Sequence, residues 1–210
     1  MLTVYGMAVS GNCWKAAQIL RSTGQEFRWV QVDGNSGATR AADFLARNPN
    51  GKVPVVELAD GTVITESNAI LAHFAEGTAW IPAPGLARTR VLEWAFFEQY
   101  SHEPYIAVAR NIIAYQKSAA QNAERLAQCR VGGEQALCVM ARRLAGNNWL
   151  TDAGPTIADL ALFAYTHVAH EGDFDLAGWP AVQCWVARVA ALPGIMPLNA
   201  AGIVPLNAAG

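Results

Sequence analysis

Three short groups of residues in this chain have the types and spacing to handle a thiol and a small charged ligand. The first is Ser10-Gly11-Asn12-Cys13, a hydroxyl, an amide and a thiol in close succession. At the opening of a helix these groups would sit in the field of about half a positive charge, which stabilises a thiolate. The second is Asn50-Gly51-Lys52-Val53-Pro54. Pro54 has no N–H to donate to a sheet, so a strand that begins there leaves a neighbouring backbone group open to a ligand. The third is Glu66-Ser67-Asn68, directly ahead of the apolar positions Ile70, Leu71 and Phe74. There the free N–H groups of a helix start suit a carboxylate, Ser67 adds a hydroxyl, and Glu66 can accept from an ammonium. Taken only as pattern, the same groups also describe a turn, a hairpin and an ordinary N-cap.

The elements that must position these residues follow from local patterning. A strand over 2–5 runs into a loop of small residues, and a helix over about 13–22 ends near Gly24, a residue suited to a helix C-terminus. Alternation predicts a strand over 27–32, then a loop over 33–37 and a short helix over 38–46 that stops before Asn48-Pro49. A β-branched run over 53–58, the turn signal Asp60-Gly61 and Thr62-Val63-Ile64 make a hairpin, and Glu66-Ser67-Asn68 opens the next helix. The order is β-α-β-α-β-β-α, with a right-handed parallel βαβ start and an antiparallel hairpin.

The strand entered through Lys52-Val53-Pro54, the hairpin, and the helix opened by Glu66-Ser67-Asn68-Ala69-Ile70 resemble the glutathione-binding half of cytosolic glutathione S-transferases. The resemblance implies a thioredoxin-like domain in which Pro54 is cis, whereas the base rate of about 5–6% for X–Pro bonds taken alone favours trans. It implies that Val53 pairs with the cysteinyl backbone of glutathione and that Glu66 and Ser67 hold the γ-glutamyl end. Asn50 and Lys52 are the candidates for the glycyl carboxylate. The loop VYGMAVSGNCWK is similar to that of the serine-type, bacterial-like members, and by that likeness Ser10 donates to the glutathione sulfur. A hydrogen bond to a charged group is worth about 1.5–3 kcal/mol, which would lower a thiol of pKa ~8.5 to roughly 6.5–7.5. Alternative catalytic roles stay open for Asn12, through its amide, and for Cys13, as a thiolate that would give disulfide exchange; a structural role for Cys13 is preferred.

Beyond 76 the patterning changes. Residues 77–85 carry two prolines and no helical period, and are expected to link a first domain (1–76) to an all-helical one (86–195). In the latter, helices are expected over 86–117 with a break at Pro104, over 119–144, after the capping sequence Thr156-Ile157-Ala158-Asp159, and from Pro180 to about 192. The fold class is therefore α+β, a thioredoxin-like domain followed by a helical one. The resemblance places the wall of an electrophile pocket on the helical half, with Tyr100 and Tyr105 as contacts. The tail repeats itself, with IMPLNAAG followed by IVPLNAAG, and is expected to be irregular over 196–210.

Composition restricts the function classes. The chain has 210 residues, 52% apolar and 15% charged, with a formal net charge of −2, which gives no reason to expect nucleic acid or a membrane as partner. The start lacks the basic region and cleavage pattern of a secretory leader. Cys13, Cys129, Cys138 and Cys184 show no C-x-x-C spacing and read as reduced thiols, pointing to the cytoplasm. His167 and His170 lack a clear third ligand, so no metal is expected. The expectation is a cytoplasmic, homodimeric glutathione transferase acting in detoxification, with glutathione as co-substrate and a small hydrophobic electrophile as partner. The alternatives are a glutathione-dependent thiol-disulfide reductase or dehalogenase/isomerase, and a non-catalytic transferase-like binding module.

Overall fold

The computed structural model describes residues 1–196 and 198. It has two compact units: residues 1–78 together with Gly194, Ile195, Met196 and Leu198, and residues 79–193.

The first unit is built on β1 (Leu2–Gly6), α1 (Gly11–Ser22), β2 (Phe27–Gln31), α2 (Ala42–Arg47), β3 (Val55–Glu57), β4 (Val63–Thr65) and α3 (Ser67–Ala75). The strands form one sheet in the order β2-β1-β3-β4, with β1 parallel to β2 and the other two pairs antiparallel. This is the expected thioredoxin-like order. The helix predicted over 38–46 is instead a single tight turn over Ala38–Arg40 followed by α2, because Ala41 leaves the helical region at φ −64°, ψ 145°. The strand predicted over 53–58 shrinks to Val55–Glu57, since Pro54 cannot join the sheet's hydrogen bonds. Helix α1 is buried along nearly its whole length, with Trp14, Ile19 and Leu20 in the core and Lys15 and Gln18 buried among them. Gln18 receives the chain's return. Its Nε2 donates to Gly194 O (2.9 Å), its Oε1 accepts from Met196 N (3.1 Å), and Trp14 Nε1 donates to Met196 O (2.6 Å). Apart from Met196 and Leu198, the tail expected to be irregular lies outside the described residues.

The second unit contains α4 (Leu86–Phe97), α5 (Glu103–Arg110), α6 (Ala123–Leu144), α7 (Ile157–Thr166) and α8 (Pro180–Ala190). The break expected at Pro104 takes the form of a π-helical turn over Glu98–His102, after which Pro104 occupies the first turn of α5, where its missing N–H costs nothing. Helix α7 is buried at every position and starts with the predicted capping box. Thr156 Oγ1 accepts from Ala158 N (3.3 Å) and Asp159 Oδ2 accepts from Thr156 N (3.0 Å). The segment read as a linker is packed over part of its length: Ile81 is buried, and Trp80 O accepts from Ile157 N at 2.8 Å.

Candidate active site

Sheet register gathers the candidate residues of the first unit. Tyr5 lies opposite Val55, and Val55 opposite Thr65. Because β1 runs antiparallel to β3 and β3 to β4, the end of β1, the entry to β3 and the end of β4 share one end of the sheet. The Ser10 loop, Val53-Pro54 and Glu66-Ser67 all leave from that end.

The Val53–Pro54 bond is cis, so the residue the base rate favoured as trans has the isomer that the resemblance implied. The turn before it is organised by Asn48, a buried side chain whose Nδ2 donates to Lys52 O (2.8 Å) and whose Oδ1 accepts from Asn50 N (3.1 Å). Asn50 and Lys52 are exposed beside it. Gly51 has φ +63°, and a Cβ there would meet Arg40 Nη1 at 2.5 Å. Arg40 also donates to Asn50 O (3.4 Å), so a guanidinium flanks the two residues assigned to a glycyl carboxylate. Sequence reading passed over Arg40, since it lies ten positions from Asn50 in a segment predicted as plain helix.

At the β4–α3 junction Glu66 is exposed and has φ +65°, ψ 114°, a region that costs a non-glycine residue about 1–3 kcal/mol. The side chain of Ser67 faces inward instead and is buried. Its hydroxyl donates to Asn12 Oδ1 at 3.2 Å, joining the start of α3 to the Ser10 loop. Lys15, with 0% of its surface exposed, directs Nζ to Ser67 Oγ (3.5 Å) and to Asn68 Oδ1 (3.3 Å).

Ser10 is the N-cap of α1, its Oγ accepting from Cys13 N at 3.3 Å. Cys13 has 0% exposure, and burial pushes its thiol up to about 11, against the opposing effects of the Ser10 hydroxyl and the Met7 N–H. A thiol in this setting is the reverse of the low-pKa nucleophile considered for it: the helix-start field expected to ionise Cys13 is outweighed by desolvation. Asn12, the other alternative, has its carbonyl oxygen engaged by Ser67.

In the helical unit Tyr100 is 84% exposed, while the Tyr105 ring packs on Gly132 of α6, where an added Cβ would lie 2.5 Å from it. The two tyrosines therefore have unlike surroundings. His167 Nδ1 is engaged with Phe163 O (2.6 Å), and His170 is exposed.

Residues 9–76 match the family model "Glutathione S-transferase, N-terminal domain", and residues 94–193 match "Glutathione S-transferase, C-terminal domain". Glutathione S-transferase 3 of Zea mays is 32% identical over 95% of this chain and 94% of its own length. The chain belongs to the glutathione S-transferase family. Other relatives in the family carry different activities in their names. A maleylacetoacetate isomerase of Rhizobium meliloti is 32% identical, covering 87% of this chain and 88% of its own. The disulfide-bond oxidoreductase YfcG of Escherichia coli is 26% identical, with 92% of each chain covered. Among solved structures, a glutathione S-transferase of Xanthobacter autotrophicus superposes with a TM-score of 0.92 at 64% identity, covering 94% of this chain and 96% of the other. Ure2p in complex with S-hexylglutathione superposes at 0.80 with 25% identity, over 92% of this chain and 95% of the other. The thioredoxin-like and helical halves are thus those of the glutathione transferase fold. Among the described residues no helix is long and apolar enough to cross a membrane.

Proposed function

We propose that this chain binds glutathione along the shared end of the sheet and transfers its thiolate to a small hydrophobic electrophile. Val53 offers its backbone to the cysteinyl residue, Glu66 accepts from the γ-glutamyl ammonium, Ser67 holds the γ-glutamyl carboxylate at the start of α3, and Asn50 and Lys52 face the glycyl carboxylate. Ser10 donates its hydroxyl hydrogen to the sulfur, which shifts the thiol toward its ionised form and releases the proton to solvent. The sulfur lone pair then forms the S–C bond as the leaving group departs with its electron pair. We place the enzyme in the cytoplasm as a homodimer, with Leu86, Phe96 and Tyr100 among the exposed apolar side chains such an assembly would cover.

The observation that carries this reading is the register Tyr5–Val55–Thr65 with the Ser67–Asn12 hydrogen bond of 3.2 Å. Together they bring the residues assigned to the two ends of the ligand, far apart in sequence, to one end of one sheet. The buried, high-pKa Cys13 speaks against a protein thiol as nucleophile. The names of the isomerase and disulfide-bond oxidoreductase relatives support a second reading, in which the same bound thiolate serves isomerisation or disulfide exchange.

The test is turnover of a chloro-dinitro-arene, a maleyl-type cis-alkene and a mixed disulfide by the native protein, S10A and C13A. Loss of one polarising hydrogen bond to a charged sulfur should lower kcat/KM of S10A by about 10- to 100-fold, with C13A close to native. Full activity in S10A with loss in C13A would move the nucleophile to the protein. The substrate that turns over fastest identifies the reaction, and failure to bind glutathione would revive the non-catalytic module.

A further inference from the structure

The helical unit holds a cleft of about 200 Å³ that the glutathione reading leaves unused. Its walls are Arg90 and Trp94, one turn apart on α4, Arg143 near the end of α6, and Leu150, Thr151 and Asp152 in the loop before α7. That loop is fixed from several sides. Leu150 O accepts from Arg143 Nε (3.0 Å), Leu150 N donates to Asp159 Oδ1 (3.2 Å), and Asp152 Oδ1 accepts from Arg143 Nη2 (2.6 Å). A ligand would therefore meet walls already in place, with little ordering left to do. Both guanidiniums have N–H groups to spare. Arg90 engages only Nη1, with the two oxygens of Glu93 (2.8 and 2.9 Å), and Arg143 leaves Nη1 unengaged among the described residues. Their carboxylate partners are 53% exposed for Glu93 and 90% for Asp152, so water weakens the neutralisation. Thr151 adds an unmet polar group: it is buried, and its Oγ1 has no hydrogen-bond partner among the described residues. Buried hydroxyls are nearly always paired, and one left unpaired destabilises a fold. Its place beside two guanidiniums is accounted for if a ligand oxygen completes it.

We propose that this cleft is a second ligand site, for a small organic monocarboxylate of the kind an aryl acid presents. The carboxylate bridges Arg90 and Arg143, with one oxygen accepting from the Thr151 hydroxyl. The part-buried indole of Trp94, held edge-on to Phe97 at a centroid distance of 5.2 Å, gives the hydrocarbon body an apolar face. Two guanidiniums against the one carboxylate of Asp152 leave a single positive charge at the walls, which matches a monoanion. The volume lies below the roughly 300–1,000 Å³ of sites for drug-sized ligands and suits a body of about one ring. No residue of the cleft has a role in holding glutathione, so the site stands or falls apart from that reading.

Calorimetric titration of the native protein compares benzoate with benzyl alcohol, a neutral molecule of nearly the same shape. Benzoate should bind once per chain and at least about tenfold more tightly, the scale of a hydrogen bond involving a charged group. Arg90→Gln removes one cation from an exposed position and should weaken benzoate by about 5- to 20-fold. Thr151→Val keeps the side-chain shape and removes the hydroxyl. Benzoate should weaken by about 3- to 10-fold, the scale of a neutral hydrogen bond, while the melting temperature holds or rises because an unmet polar group has gone. Equal affinity for the two probes, no binding of benzoate at millimolar concentration, or native affinity in either variant overturns the site. A lower melting temperature or failure to fold in Thr151→Val overturns it too, since the hydroxyl would then serve the structure.

Discussion

Asp159 offers the most demanding test of how the helical unit is held. Its carboxylate has 0% exposure and collects donors from three parts of the chain. Oδ1 accepts from Trp185 Nε1 at 2.8 Å and from Leu150 N at 3.2 Å, and Oδ2 accepts from Thr156 N at 3.0 Å. Replacing Asp159 with Ala leaves three buried N–H groups without an acceptor, each costing about 1–3 kcal/mol, and removes a capping box worth about 1 kcal/mol. Against this, the cost of burying a carboxylate disappears, so the net loss should be about 3–5 kcal/mol. For a chain of this size that is a fall in Tm of about 6–20 °C. Calorimetric melting gives the total. Hydrogen exchange at the Leu150 amide gives the local effect, since that N–H loses the Asp159 carboxylate as acceptor. A loss below about 1 kcal/mol would refute the reasoning, because it would mean that the hydrogen bonds barely exceed the desolvation they offset. The pH dependence has a definite sign. Burial raises the Asp159 carboxyl above its ordinary 3.8, only partly opposed by its donors. The native state therefore holds that proton more tightly than the unfolded chain does. Its contribution to stability is greatest below about the ordinary value of 3.8 and declines as pH rises through the raised native value. Asp159→Asn should abolish that decline, while sacrificing the oxygen that receives Thr156 N.

Two further outcomes are expected. Glu66→Gly should raise stability by up to about 1–3 kcal/mol by relieving φ +65°, while glutathione affinity falls with loss of the carboxylate; urea titration and calorimetric binding measure the two. Cys13, with its thiol near 11, should resist iodoacetamide at pH 7, whereas the exposed Cys138 and Cys184 are alkylated first. Peptide mass spectrometry reads the order, and fast labelling of Cys13 in the folded protein would contradict its burial.

Much of this molecule is legible from neighbouring residues alone. Alternation over 27–32, the Asp60-Gly61 turn, the Thr156-to-Asp159 capping box and Pro180 at a helix start each depend on groups a few positions apart, and each element formed within a residue or two of its pattern, the strand as Phe27–Gln31. The motifs around Lys52-Val53-Pro54 and Glu66-Ser67 were likewise local, which is why the family could be read from them.

What only the tertiary structure decided involves partners separated by long stretches of chain. Lys15 looks like any helix-surface lysine until α3 is packed against α1 and brings in Ser67, 52 positions on. Cys13 stands at a helix start that favours a thiolate, and only its burial shows that desolvation overrides the field. Asp159 reads as a capping residue, but Trp185, 26 positions away, makes it a hub. The reason is common to all three. Backbone conformation follows from short-range sterics and hydrogen bonding, whereas the free energy of a charge or thiol depends on how much water its distant neighbours exclude and which polar groups they return.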